Sequence, residues 1–105
     1  MDNKKVDGSY ITYNANRVKY EEKYFLNGEK HREDGAAYIQ YYENGNICRE
    51  KYYINGLLHR LDGPAVVVYH KYGNIFYQKF HINGEFIEVA SLEEFKKIVK
   101  LMVFK

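Results

Sequence analysis

His31-Arg32-Glu33-Asp34-Gly35 and His59-Arg60-Leu61-Asp62-Gly63 are the stretches of this chain whose residue types and spacing suit chemistry. An imidazole three residues ahead of a carboxylate can be a general base with the group that orients it, or half of a metal site. The same string occurs twice, 28 residues apart. A catalytic centre has no use for one copy per repeat, whereas a turn does. Asp34 and Asp62 therefore read as turn formers, and Arg32 and Arg60 as partners for carboxylates on the neighbouring repeat. Other combinations are thinner. Cys48 falls on the apolar side of its strand, as a small buried hydrophobe would. His31, His59, His70 and His81 lack metal-ligand spacing, and the glycines mark turns instead of a phosphate-binding loop. Glu21-Glu22 would divide between strand faces and Glu93-Glu94 would open a helix, so neither pair suggests acid/base carboxylates. The expectation is a protein that is not an enzyme, with no cofactor and no metal.

The elements that position these residues are set by the period. Asn27-Gly28, Asn55-Gly56 and Asn83-Gly84 recur at 28-residue spacing, as do Asp34-Gly35 with Asp62-Gly63, and Tyr13 with Tyr41 and Tyr69. Asn-Gly suits the type I′ turn, which joins antiparallel strands whose twist it matches. Asp-Gly supplies a second turn in each unit, and "ENGN" and "KYGN" a third. One domain is expected over 1–105, with about three β-hairpin copies at 7–33, 34–61 and 62–88 forming an antiparallel meander. The fold class is mostly β with one C-terminal helix.

Alternation sorts the faces. Tyr20, Glu22, Tyr24, Leu26 and their counterparts Cys48, Glu50, Tyr52, Ile54 and Phe76, Gln78, Phe80, Ile82 should be buried, together with Ala37, Ile39, Tyr41, Ala65, Val67 and Tyr69. The opposite face, with Lys19, Glu21, Ile47, Ile75 and His81 among its residues, should be wet. Ser91 followed by Glu94 forms a capping box, and Leu92, Phe95, Val99 and Met102 make an apolar stripe, so a helix is expected at about 91–102, packed on the apolar face. About 11 helical residues span about 16 Å, too little to roof six strands, so either the sheet curls strongly or a second copy of the chain, in a homodimer, covers the rest.

The totals exclude several classes. Lys+Arg 16 against Asp+Glu 14 gives a net charge of +2, too balanced for a dedicated nucleic-acid binder. No apolar run reaches the length of a membrane span. Met1 to Asp7 is charged with no apolar stretch behind it, unlike a signal peptide, and a lone cysteine fits a reducing compartment. A cytoplasmic location is the expectation. Lys96, Lys97, Lys100 and Lys105 read as the solvated side of a docked helix, and membrane contact is not expected.

The string "YYENGNICREKYYINGLLHRLDG", 41 to 63, resembles the MORN-type repeat in its bacterial YwqK-like form, and "NGLLHRLDGPA" is similar to repeats found in proteins of phages and large viruses. The resemblance covers about 7 to 95 and implies a β-hairpin sheet used for binding. For the binding surface the residues point to the wet face, where Phe25, Tyr38, Tyr42, Tyr53 and Tyr77 mingle with Lys23, Arg49, Lys51 and Lys79. Tyrosine and arginine provide interface hot spots. The leading expectation is a non-enzymatic module that occludes a partner protein, in concrete form an anti-CRISPR-like inhibitor of a host defence system. An antitoxin-like or structural repeat protein is a second reading. A nucleic-acid or anionic-membrane binder using the aromatic, basic face is a third.

Overall fold

A computed structural model describes residues 7–103. Ten strands and one helix follow in order: β1 (Gly8–Tyr13), β2 (Lys19–Leu26), β3 (Glu29–Lys30), β4 (Tyr38–Tyr41), β5 (Ile47–Lys51), β6 (Tyr53–Ile54), β7 (Leu57–Leu58), β8 (Val66–Tyr69), β9 (Ile75–Ile82), β10 (Glu85–Ile87) and α1 (Leu92–Val103). All pairings are antiparallel. The main sheet runs β1-β2-β4-β5-β8-β9-β10 with β3 hanging on β2, and β6 pairs β7 as a separate hairpin. The chain is a mostly β meander with a single C-terminal helix.

Local chemistry explains the punctuation. Asn27, Asn55 and Asn83 have φ of 53°, 50° and 49°, and the glycines after them 79°, 81° and 85°, the paired positive values of a type I′ turn. Hydrogen bonds recur at the 28-residue spacing: the Tyr24 and Tyr52 N–H groups donate to Ala37 and Ala65, and the Gly56 and Gly84 N–H groups donate to Lys30 and Leu58. A bulge falls before each of Tyr13, Tyr41 and Tyr69. The first 28-residue stretch, faint in sequence, thus shares the backbone details of the others.

The register draws one line across the sheet: Ile11, Glu22, Ile39, Glu50, Val67, Gln78. Aliphatic and carboxylate side chains alternate, and tyrosines make this possible. Tyr69 donates to Glu50 at 2.6 Å, and Tyr24 donates to Glu22 at 3.3 Å, where Lys19 also lies 2.7 Å away. Burial pushes the Glu22 carboxyl up, but Lys19, Tyr41 and Tyr24 outweigh it and hold the group below the usual carboxylate range. The molecule is only 19 Å in its shortest dimension.

Four expectations about packing need correction. The helix meets the face assigned as apolar at Phe80 and Ile82 and does not extend across the sheet. Phe95 enters a cluster with Phe80 and Ile82, flanked by Ile87, Val89 and Val99, all at the last hairpin. Tyr20, Leu26 and Phe76, assigned to the buried face, are exposed, because among the described residues nothing covers them. Conversely Val66, Val68 and His81, on the supposedly wet face, are buried. In a one-layer sheet long side chains from adjacent strands shield short ones, so a valine between lysine-bearing strands is covered on either face. Cys48 is half-buried, outside the core.

Candidate binding face

The two His-Arg-x-Asp-Gly strings have the same geometry. Arg32 lies over the Tyr24 ring with its guanidinium carbon 4.0 Å from the centroid, and Arg60 lies over Tyr52 at 4.0 Å. Arg32 Nε donates to Asp34 Oδ1 at 3.0 Å, and Nη1 donates to the Ala36 carbonyl at 3.2 Å. Arg60 repeats this with Asp62 at 2.9 Å and the Pro64 carbonyl at 3.1 Å. Each arginine therefore closes the loop it sits in, and its carboxylate, two residues on, is the first residue of the next copy. The glycine makes room: a Cβ on Gly35 or Gly63 would sit 3.0 Å from the arginine Cζ.

The histidines reach onward instead. His31 Nδ1 accepts the Asn55 N–H at 2.9 Å, and His59 Nδ1 accepts the Asn83 N–H at 2.9 Å. That lone pair is spent on the following Asn-Gly turn. An open groove of about 640 Å³ lies between the two loops, lined by Arg32, Asp34, Tyr52, His59, Arg60 and Asp62 among others. Its charged groups largely face partners within their own loops. Among the described residues no group of three or more His, Cys, Asp or Glu side chains is arranged to hold a metal.

The opposite face is differently built. One register line holds Lys23, Tyr38, Lys51, Val66 and Lys79, and the line beside it Glu21, Gln40, Arg49, Val68 and Tyr77. Lys23, Lys51 and Lys79 stand on alternate strands, which places them about 10 Å apart in a row. The two-residue turn pairs Lys30 with Phe25 and so brings a further lysine to this face. Lys30 was not anticipated, although its position two residues after Asn27-Gly28 carries the signal. Its Nζ lies 5.8 Å from the Tyr38 ring and 5.4 Å from the Tyr53 ring, and Lys51 Nζ is also 5.8 Å from Tyr38. Lys79 sits 5.5 Å from Tyr77.

Of the residues expected to form the surface, Phe25, Lys23, Tyr38, Arg49, Lys51, Tyr77 and Lys79 share this face by register, with Tyr53 beside Lys30. Tyr42 stands apart, its hydroxyl donating to the Tyr69 carbonyl at 2.6 Å and strutting two turns together. Burial, with Arg49 and Lys30 nearby, pulls the Lys51 ammonium below the ordinary lysine range. Glu21 accepts the Tyr38 hydroxyl at 2.6 Å and lies 3.6 Å from Lys23. Burial and that carboxylate push the Tyr38 hydroxyl far up, so it stays a donor. Arg49 Nε is buried with no hydrogen-bond partner among the described residues.

No family model, curated protein or solved structure matches the chain.

Proposed function

We propose that this chain is a non-enzymatic binding module, built from about three MORN-like hairpin copies, that holds an acidic patch of a partner protein on its lysine–tyrosine face. The observation that supports it is the row of Lys23, Lys51 and Lys79 with Lys30 and Arg49 packed around it. Burial lowers Lys51, and the Arg49 and Lys30 charges beside it lower it further; an anionic surface relieves that repulsion. Tyrosine rings between the cations supply rigid contact area. In its concrete form the module is a small inhibitor that occludes a host defence effector, in line with the viral look of its repeats. A second reading is supported by the same interleaving of cations and rings, which suits single-stranded nucleic acid.

Affinity capture from host cells with wild type and Lys51→Glu, each with and without nuclease, tests this. The expected result is a protein that wild type retains after nuclease treatment and that Lys51→Glu loses. Capture abolished by nuclease would transfer the face to nucleic acid. Equal capture by both variants would remove the face from the function.

A further inference from the structure

The 28-residue period leaves two unfilled places in the sheet, and they are complementary. Strand β2 lies between β1 and β4, and β5 lies between β4 and β8. Strand β9 is the counterpart of β2 and β5, yet among the described residues it meets, beyond β8, only β10, which reaches no further than Phe80 to Ile82. Among the described residues the stretch Ile75–Lys79 has no strand on that side, and all five residues are exposed, Phe76 by 62%. At the other end β1, the counterpart of β4 and β8, pairs among the described residues with β2 alone.

We infer that the β1 strand of a second copy of this chain fills the place beside β9, so that copies join head to tail into one continuing sheet. The register is already written inside each copy. Ile39 stands opposite Glu22 and Val67 opposite Glu50, so Ile11 of the incoming copy stands opposite Gln78. Tyr13 shares the bulge of Tyr41 and Tyr69, and Tyr69 donates to Glu50, so Tyr13 comes within reach of the Gln78 side chain. Gln78 replaces the glutamates of the other two copies, which leaves no bare carboxylate at the open place. Lys79 is no guard against pairing, although lysine on an edge usually is one. Lys23 and Lys51 occupy the same position on strands flanked on both sides. Because the two joined surfaces differ, the contact is heterologous and does not close on itself.

Main-chain direction makes a clean test. Tyr24 and Tyr52 donate toward β4 and β8, so by alternation the N–H of Gln78 points to the open side. By the same equivalence the N–H of Ile11 points away from β2. Proline is tolerated where a strand N–H faces outward, so Ile11→Pro and Gln78→Pro each delete one half of the contact and keep the internal pairing. Sedimentation equilibrium of wild type is expected to show average mass rising with concentration up to about 1 mM, the range a weak edge contact reaches. Each proline variant alone should stay a single chain, and an equimolar mixture should give a two-chain species and nothing larger.

Self-association of Ile11→Pro would mean that β9 pairs with itself, and self-association of Gln78→Pro that β1 does; either overturns the inference. So does constant single-chain mass of the wild type. Should a variant misfold, amide exchange in wild type decides the matter. Exchange at Ile11 and Gln78 should slow with concentration while Thr12 holds steady, and unchanged rates at both overturn the proposal.

Discussion

His59 Nδ1 accepts the main-chain N–H of Asn83 at 2.9 Å, just as His31 does for Asn55. A histidine that looked like a catalytic base from its spacing to Asp62 instead fastens one hairpin to the next. His59→Ala leaves an N–H unpaired at a turn, and a loss of about 1 kcal/mol is expected. Chemical denaturation measures it. The loss should concentrate in the last hairpin, visible as faster amide exchange around Asn83, while Asn55 is unaffected.

Gly63→Ala puts a methyl 3.0 Å from the Arg60 Cζ and forces the guanidinium off the Tyr52 ring. A cost of about 1 to 2 kcal/mol is expected from the lost cation–π and hydrogen-bond contacts. In an Arg60→Ala background the same glycine substitution should cost much less. Thermal melts of the four proteins give the coupling directly.

Phe95→Ala removes the one large side chain that is fully buried among the described residues. Its ring lies 4.6 Å from Phe80, and Phe80 is the third-copy counterpart of Tyr24 and Tyr52. The helix thus brings a phenyl group to the kind of position that Arg32 and Arg60 fill in the earlier copies. A loss of about 3 to 4 kcal/mol is expected, with the helical circular dichroism signal melting ahead of the sheet. Ser91→Ala should cost less, about 1 kcal/mol, through the Glu94 N–H that its hydroxyl accepts at 3.2 Å.

Burial, and then the Lys79 ammonium, lower the His81 imidazole below the ordinary histidine value. The folded chain resists protonation more than the unfolded one does. Stability from this group is complete above the unfolded value of about 6.5 and is lost as pH falls below it. Melting temperature should drop between pH 7.5 and pH 5, and His81→Phe should flatten that part of the profile. An unchanged slope in His81→Phe would assign the pH dependence elsewhere.

Backbone instructions were the legible part of the sequence. The Asn-Gly pairs marked the hairpins, the period marked the meander, and Ser91 with Glu94 marked the helix to within one residue. Side-chain environment was harder to read, for a physical reason. Alternation sorts residues by face, and it assumes that one face is dry. Here both faces are half-covered by long neighbours, so Val66 is buried between Lys51 and Lys79 and Val68 between Arg49 and Tyr77, while Tyr20 and Phe76 stand in water. The arginines meet carboxylates just across the copy boundaries, in keeping with the sequence, but sequence spacing does not show that Tyr52 lies beneath Arg60. The lysine row was contained in the period, since Lys23, Lys51 and Lys79 are 28 apart, yet its straightness depends on the register that the bulges set.

The histidine and arginine contacts that join the hairpins recur at one fixed interval, and this has an evolutionary corollary. An in-frame duplication of residues 34–61, inserted after Leu61, would create one new junction, Leu61 to Asp34, where an Asp-Gly turn follows a His-Arg pair as it does at both existing boundaries. The gene can therefore lengthen or shorten its product by whole units, through simple slippage, without having to invent a new interior each time.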